Sequence, residues 1–147
     1  SRRGALRMNL LRILFFPLFG IMRKKETSDT ATPPPANPNR VHIFYGGFGS
    51  ELEATDYCLK PMGRNKPEQL THDLPDAMID TSEVEVIFGA ARINDVVPML
   101  SPRPDSLLGE IGANNTIIMI ADAAFGGLPY TLNDTLRLTY AGAFDVS

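Results

Sequence analysis

Asp73, Asp76, Asp80, Glu83 and Glu85 place five carboxylates in a short stretch of this chain. Paired carboxylates can divide acid and base roles when their surroundings push their pKa values apart. Fifteen acids lie between 41 and 147, however, so such clusters arise from composition alone. A solvated acidic face is the simpler reading. A nucleophile would need Cys58 or Ser50 beside His42 or His72. No local pattern supports any of these pairs. Two histidines and one cysteine, without ligand spacing, argue against a zinc site. The turn Tyr45-Gly46-Gly47-Phe48-Gly49-Ser50 could cradle an anion on backbone amides. It meets neither the dinucleotide glycine pattern nor the P-loop pattern. Glu51 and Glu53, at the start of the helix that follows, would repel a phosphate. The sequence therefore predicts no enzyme, no metal and no cofactor.

These residues need a frame, and Val41 to Leu59 supplies its head. VHIFY at 41–45 is β-branched and aromatic, as a half-buried strand requires. Gly46, Gly47 and Gly49 allow a sharp turn, since glycine takes positive φ at no steric cost. Ser50 and Glu53 fit a capping box, in which the hydroxyl takes the Glu53 amide and the carboxylate reaches back to the Ser50 amide. The helix should run to about Lys60, with Leu52, Ala54, Tyr57, Cys58 and Leu59 on its apolar side. Pro61 and Gly63 end it.

Further along, Glu68 to Asp76 could hold a helical turn before Pro75 interrupts. TSEVEVIF at 81–88 alternates and reads as a second strand with one wet face. A helix over 92–100 would align Ile93, Val96, Val97 and Leu100, despite Pro98. Residues 106–111 suit a short turn or helix. TIIMIA at 116–121 is the central buried strand. Residues 135–146 form a fourth strand, bulged or bent at Gly142. The order β-α-β-α-β-β predicts an α+β domain, with a mixed or antiparallel sheet and helices packed on one face.

Charge divides the 147 residues sharply. Residues 1–40 hold eight Lys/Arg and two Asp/Glu, a balance of +6, while 41–147 hold six and fifteen, a balance of −9, giving the net −3. The acidic part disfavours nucleic acid, which needs clustered cations. It favours a basic partner. The lone Cys58 excludes an internal disulfide and suits a reducing compartment.

Residues 1–25 form a basic, apolar leader. Its core, LLRILFFPLFGIM at 10–22, is short for a membrane span. Three readings fit: an interfacial anchor, a signal peptide without a small-residue cleavage site, or sequence ahead of a true start at Met8 or Met22. Residues 26–40, with Pro33-Pro34-Pro35, read as a Pro-rich linker. The domain itself is 41–147.

Four stretches together carry a resemblance. They are VHIFYGGFGSELEATDY (41–57), LPDAMIDTSEVEVIF (74–88), NNTIIMIADAAFGG (114–127) and LTYAGAFDVS (138–147). The sharper parts are Phe48, Ser50, Glu51, Glu53 and Tyr57, then Tyr140, Gly142, Phe144 and Asp145. In order and spacing they resemble the immunity protein 22 family of bacterial polymorphic toxin systems. Where that family carries an aromatic and an aspartate before the second strand, this chain has Met78-Ile79-Asp80.

The resemblance implies a small cytoplasmic α+β protein that binds and neutralises a cognate toxin, often a nuclease. Its partner is then a protein, and the −9 balance of 41–147 places the contact on the acids expected to stay wet: Glu51, Glu53, Asp56, Asp80, Glu83 and Glu85. Two alternatives stay open. One is a small-ligand or nucleotide-binding regulatory domain using the Gly46–Gly49 turn. The other is a membrane-tethered accessory domain, peripheral to the inner membrane through the apolar leader.

Overall fold

The computed structural model describes residues 37–146. The expectations for the leader and for 26–36 of the linker lie outside the described residues. Among the described residues four strands are present: β1 (Arg40–Gly46), β2 (Val84–Phe88), β3 (Thr116–Ala121) and β4 (Thr139–Asp145). Four α-helices join them: α1 (Glu51–Leu59), α2 (Gln69–Asp73), α3 (Ala90–Leu100) and α4 (Pro104–Ile111). The fold is mixed α+β around a four-stranded sheet of order β2-β3-β1-β4, in which every pairing is antiparallel.

β1 and β3 lie inside the sheet because they are apolar at consecutive positions, not alternate ones. Such runs must be covered on both sides. On the first face, Phe44, Ile118 and Ile120 pack with Ala54, Tyr57 and Cys58 of α1, Leu70 of α2, and Phe125. On the second face, Ile43, Tyr45, Ile87 and Ile117 pack with Ile93 and Val97 of α3 and with Leu107 and Ile111 of α4. Helices on one face only was therefore the wrong arrangement. Two core layers flank the sheet, and neighbouring residues such as Ile43 and Phe44 serve opposite layers.

Other elements differ from the sequence pattern for local reasons. The second strand starts at Val84, because Thr81–Glu83 forms a 3-10 turn. Asp80 caps that turn by accepting from the Ser82 amide at 3.0 Å and the Ser82 hydroxyl at 2.6 Å. α3 continues through Pro98, with the Ser101 amide still reaching the Val97 carbonyl at 3.0 Å. α4 begins at Pro104, whose missing N–H costs nothing in a first turn. On α1, Leu52 is 69% exposed, so the inner side of that helix is Ala54, Tyr57 and Cys58.

The fourth strand starts at Thr139, not at 135. The Thr135 hydroxyl instead accepts from the amides of Arg137 (3.2 Å) and Leu138 (3.0 Å), closing a turn that leaves Leu136 in solvent. The bend at Gly142 is present. Phe44 pairs with Tyr140 and Ile43 with Gly142, so Ala141 is an extra residue opposite one step of β1. Gly142 has φ +121°, a conformation that side chains resist. This bulge switches the strand's facing: Tyr140 packs on the first core, while Phe144 and Val146 pack on the second.

Candidate functional site

The glycine turn leads from β1 into α1. Gly46, Gly47 and Gly49 do not have positive φ. Gly46 is required for room: a Cβ there would run into the Arg137 carbonyl oxygen and lie 3.1 Å from Leu138 Cδ2. Two of the turn's amides, those of Phe48 and Gly49, are already engaged. Phe48 N donates to Asn115 Oδ1 at 3.0 Å, and Asn115 Nδ2 returns a bond to the Phe48 carbonyl at 2.8 Å. Gly49 N donates to Glu53 Oε1 at 2.7 Å. Ser50 Oγ accepts from Glu53 N at 3.1 Å, as the capping box predicts. The reciprocal bond goes to Gly49 instead of Ser50.

Arg137 completes this corner. Its Nη2 lies 3.0 Å from Glu53 Oε2, and its guanidinium carbon sits 4.3 Å above the Phe48 ring centre. The Gly49 amide, and then Arg137, hold the Glu53 carboxyl below its usual range. The anion position at the head of α1 is thus filled by the protein's own carboxylate. That arrangement weighs against a phosphate in the turn.

A second cluster has no counterpart in the sequence reading. His42, on β1, is 2% exposed and faces the first core, as does Phe44. Its Nε2 lies 2.9 Å from Asp122 Oδ1, and its Nδ1 lies 3.0 Å from the Tyr140 hydroxyl. Tyr130 also donates to Asp122 Oδ1, at 2.9 Å. The Asn37 amide donates to Asp122 Oδ2 at 3.0 Å. The rings of Phe125 and Tyr130 stand edge-on to the imidazole, each 5.3 Å away between centroids.

Burial lowers the pKa of His42, and its bond to Asp122 offsets this only in part. The neutral ring is assigned with Nε2–H donating to Asp122, so Nδ1 accepts from Tyr140. Burial pushes the Asp122 carboxyl up. The bonds from His42, Asn37 and Tyr130 outweigh that and hold it below its usual range. Burial raises both phenols, so Tyr130 and Tyr140 stay protonated donors. Every polar atom of the cluster has a partner. The arrangement resembles an acid–base relay in composition, yet His42 and Asp122 are sealed from solvent and saturated.

The nucleophile pairs do not form. Both ring nitrogens of His42 are taken, and Ser50 serves as the cap. Cys58 is fully buried, and burial pushes its thiol up to about 12, which suppresses the reactive thiolate. His72 lies exposed on α2. The five clustered carboxylates also separate. Asp73 accepts from Tyr57 (2.6 Å) and Gln69 (2.7 Å), while Asp80 caps its turn. Among the described residues, no three His, Cys, Asp or Glu are grouped to hold a metal ion.

The six acids expected at a partner surface do not share one patch. Glu51 and Glu53 stand at the Gly46 end of the sheet, with Glu51 at 3.7 Å from Arg92. Asp56 is half-buried further along α1. Asp80 and Glu83 lie at the other end, where the Asp80 amide bonds the Ala124 carbonyl at 2.8 Å. Glu85 shares the second face with Ile87, across the sheet from α1. Asp56, Glu83 and Glu85 make no side-chain hydrogen bond or ion pair among the described residues.

The cluster at His42 escaped the sequence because its members stand at 37, 42, 122, 130 and 140, with no local spacing. One signal was available. A histidine in phase with Phe44 in a strand buried on both faces needs a polar partner. Among the described residues, no helix is long and apolar enough to cross a membrane. Comparison with protein-family models, with curated proteins and with solved structures finds no match for this chain.

Proposed function

We propose that residues 41–147 form a non-catalytic immunity protein that binds and neutralises a cognate bacterial toxin, such as a nuclease, in the cytoplasm. One observation carries the reading: the folded part holds −9, and Asp56, Glu83 and Glu85 are left without compensating cations among the described residues. Uncompensated carboxylates raise the negative potential that draws a basic partner. A stoichiometric inhibitor needs such a complementary surface and no reactive group. The burial of His42, Asp122 and Cys58 supports the same view. The family resemblance in the four stretches names the class of partner.

The nucleotide-binding alternative is weaker, since the amides of Phe48 and Gly49 are already committed. The membrane-tethered alternative, with peripheral attachment to the inner membrane, rests on the leader outside the described residues.

The test is co-expression of the full chain with the toxin encoded beside its gene, followed by co-purification. Restored growth and a complex whose association slows as salt rises are expected. A toxin that stays lethal, with no complex isolated, overturns the reading.

A further inference from the structure

Among the described residues, the second face of the sheet is only half covered. α3 and α4 bury Ile43, Tyr45, Ile87 and Ile117, but Val41, Met119, Phe144 and Val146 remain half-buried. Pairing sets Met119 between Glu85 of β2 and Ile43 of β1, and sets Val41 beside Phe144 of β4. The uncovered strip therefore crosses all four strands. The last turns of α3 form a wall along it through Val96, Pro98 and Met99, enclosing a groove of about 560 Å³. Met99 is 65% exposed.

Three properties narrow the occupant. The side chains lining it are apolar apart from Glu85, so a small metabolite would meet a single polar side chain and no convergent set. Met99 and Met119 are unbranched and polarizable, which lets a rim adapt to apolar side chains of a protein segment. Glu85 opens into the groove with no ion pair among the described residues, in a domain carrying −9. The folded part of a second copy would bring one acidic surface against another. A segment with apolar anchors and an adjoining cation matches both the lining and the charge.

We infer that this groove docks an apolar segment of a protein partner bearing a lysine or arginine, with Met99 and Met119 against its apolar side chains and Glu85 against its cation. The inference rests on the binding-protein reading above and supplies the surface that reading lacks.

The probe is a short helical Leu/Lys peptide, compared with a Leu/Glu twin, titrated against the full-length chain by fluorescence polarisation. The Lys peptide should bind at least about tenfold more tightly than its twin. Glu85→Lys should reverse that preference. Met99→Glu, at an exposed position that tolerates charge, should weaken the Lys peptide or shift it to a mode insensitive to Glu85→Lys. Leu52→Glu on α1 should change nothing.

Equal binding of the twins, or a preference untouched by both Glu85→Lys and Met99→Glu, overturns the proposal. So does self-association of the full chain that Met99→Glu abolishes, because the groove would then hold a second copy. Toxin neutralisation separates the two levels. If the toxin is neutralised equally by the Met99→Glu and Glu85→Lys variants, the groove is wrong and the immunity reading stands. If no toxin is neutralised but the Lys peptide binds as described, the groove stands and the immunity reading fails.

Discussion

His42 is compatible with the first core only while neutral, and this sets how the protein meets acid. Its folded pKa lies below its ordinary 6.5. Between the two values the unfolded chain binds more protons than the folded one, so stability rises with pH across that window. The contribution is complete above about 6.5 and declines as pH falls below it. Asp122 acts in the same direction at lower pH. Its folded pKa is depressed, so its contribution is present above 3.8 and lost as pH falls through the folded value. Urea unfolding from pH 8 down to about 1.5 should therefore show stability falling in two stages, the second beginning below 3.8. His42→Gln should be less stable overall and should flatten the upper stage. A wild-type profile that is flat from pH 7 to 5 would mean that His42 titrates normally. Asp122→Ala orphans three donors, from His42, Tyr130 and Asn37. At about 1–3 kcal/mol for each buried unsatisfied group, and with partial relaxation, the loss should be roughly 3–5 kcal/mol. Tyr130→Phe removes one donor and should cost about 1.5–3 kcal/mol, the range for a bond to a charged group.

The glycines of the elements separate two mechanisms that sequence alone merges. Gly46 has an ordinary φ and no space, whereas Gly142 has φ +121° and nothing within 4 Å of a Cβ. Gly46→Ala should therefore fail by overpacking against the Arg137 carbonyl, at about 1–3 kcal/mol. Gly142→Ala should fail by backbone strain at the bulge, in a similar range of about 1–3 kcal/mol. Gly47→Ala meets only Asn115's neighbour Asn114, at 3.9 Å, and should be nearly neutral. Thermal melts of the three variants check this ranking, and a destabilised Gly47→Ala beside a normal Gly46→Ala would reverse it. The strand–turn–helix unit and the buried run at 116–121 were legible because their signals are local: β-branched runs, a cap residue, a proline stop. The two-sided packing was written in the same residues. VHIFY and TIIMIA do not alternate, and a sheet helix-covered on one face would have required that they do. The false start of β4 came from the opposite cause. Leu136, Leu138 and Tyr140 alternate convincingly, but the Thr135 hydroxyl captures the amides that a strand would have offered to a neighbour.

At the scale of the molecule, charge is the property most legible from sequence and its placement the least. The −9 of residues 41–147 is a count, but the sheet distributes its acids to two ends and two faces. Structure also assigns some of them other work. Glu53 closes the head of α1 with Gly49 and Arg137, and Asp80 caps the turn before β2. Reversing either would damage the fold and imitate a binding defect. The informative pairs are Glu51 with Asp56 on α1, and Glu83 with Glu85 beside β2. Each pair changed to lysine shifts the net charge by +4. If a basic toxin is steered by the whole field, both pairs should slow association at low salt to similar extents. The parent's rate should fall steeply with ionic strength, because the screening length shrinks from about 30 Å at 0.01 M to about 8 Å at physiological salt. If one surface makes the contact, the pairs should differ in dissociation. Glu83/Glu85 reversal should then speed release as well as slow capture, since a charge inside an interface governs how long the complex lasts. Glu51/Asp56 reversal should affect capture alone. Stopped-flow association and dissociation with the co-purified toxin, across salt and with each variant first shown to melt cooperatively, distinguish these outcomes. A parent rate indifferent to salt, with both folded variants equal to it, would remove electrostatics from the account of binding.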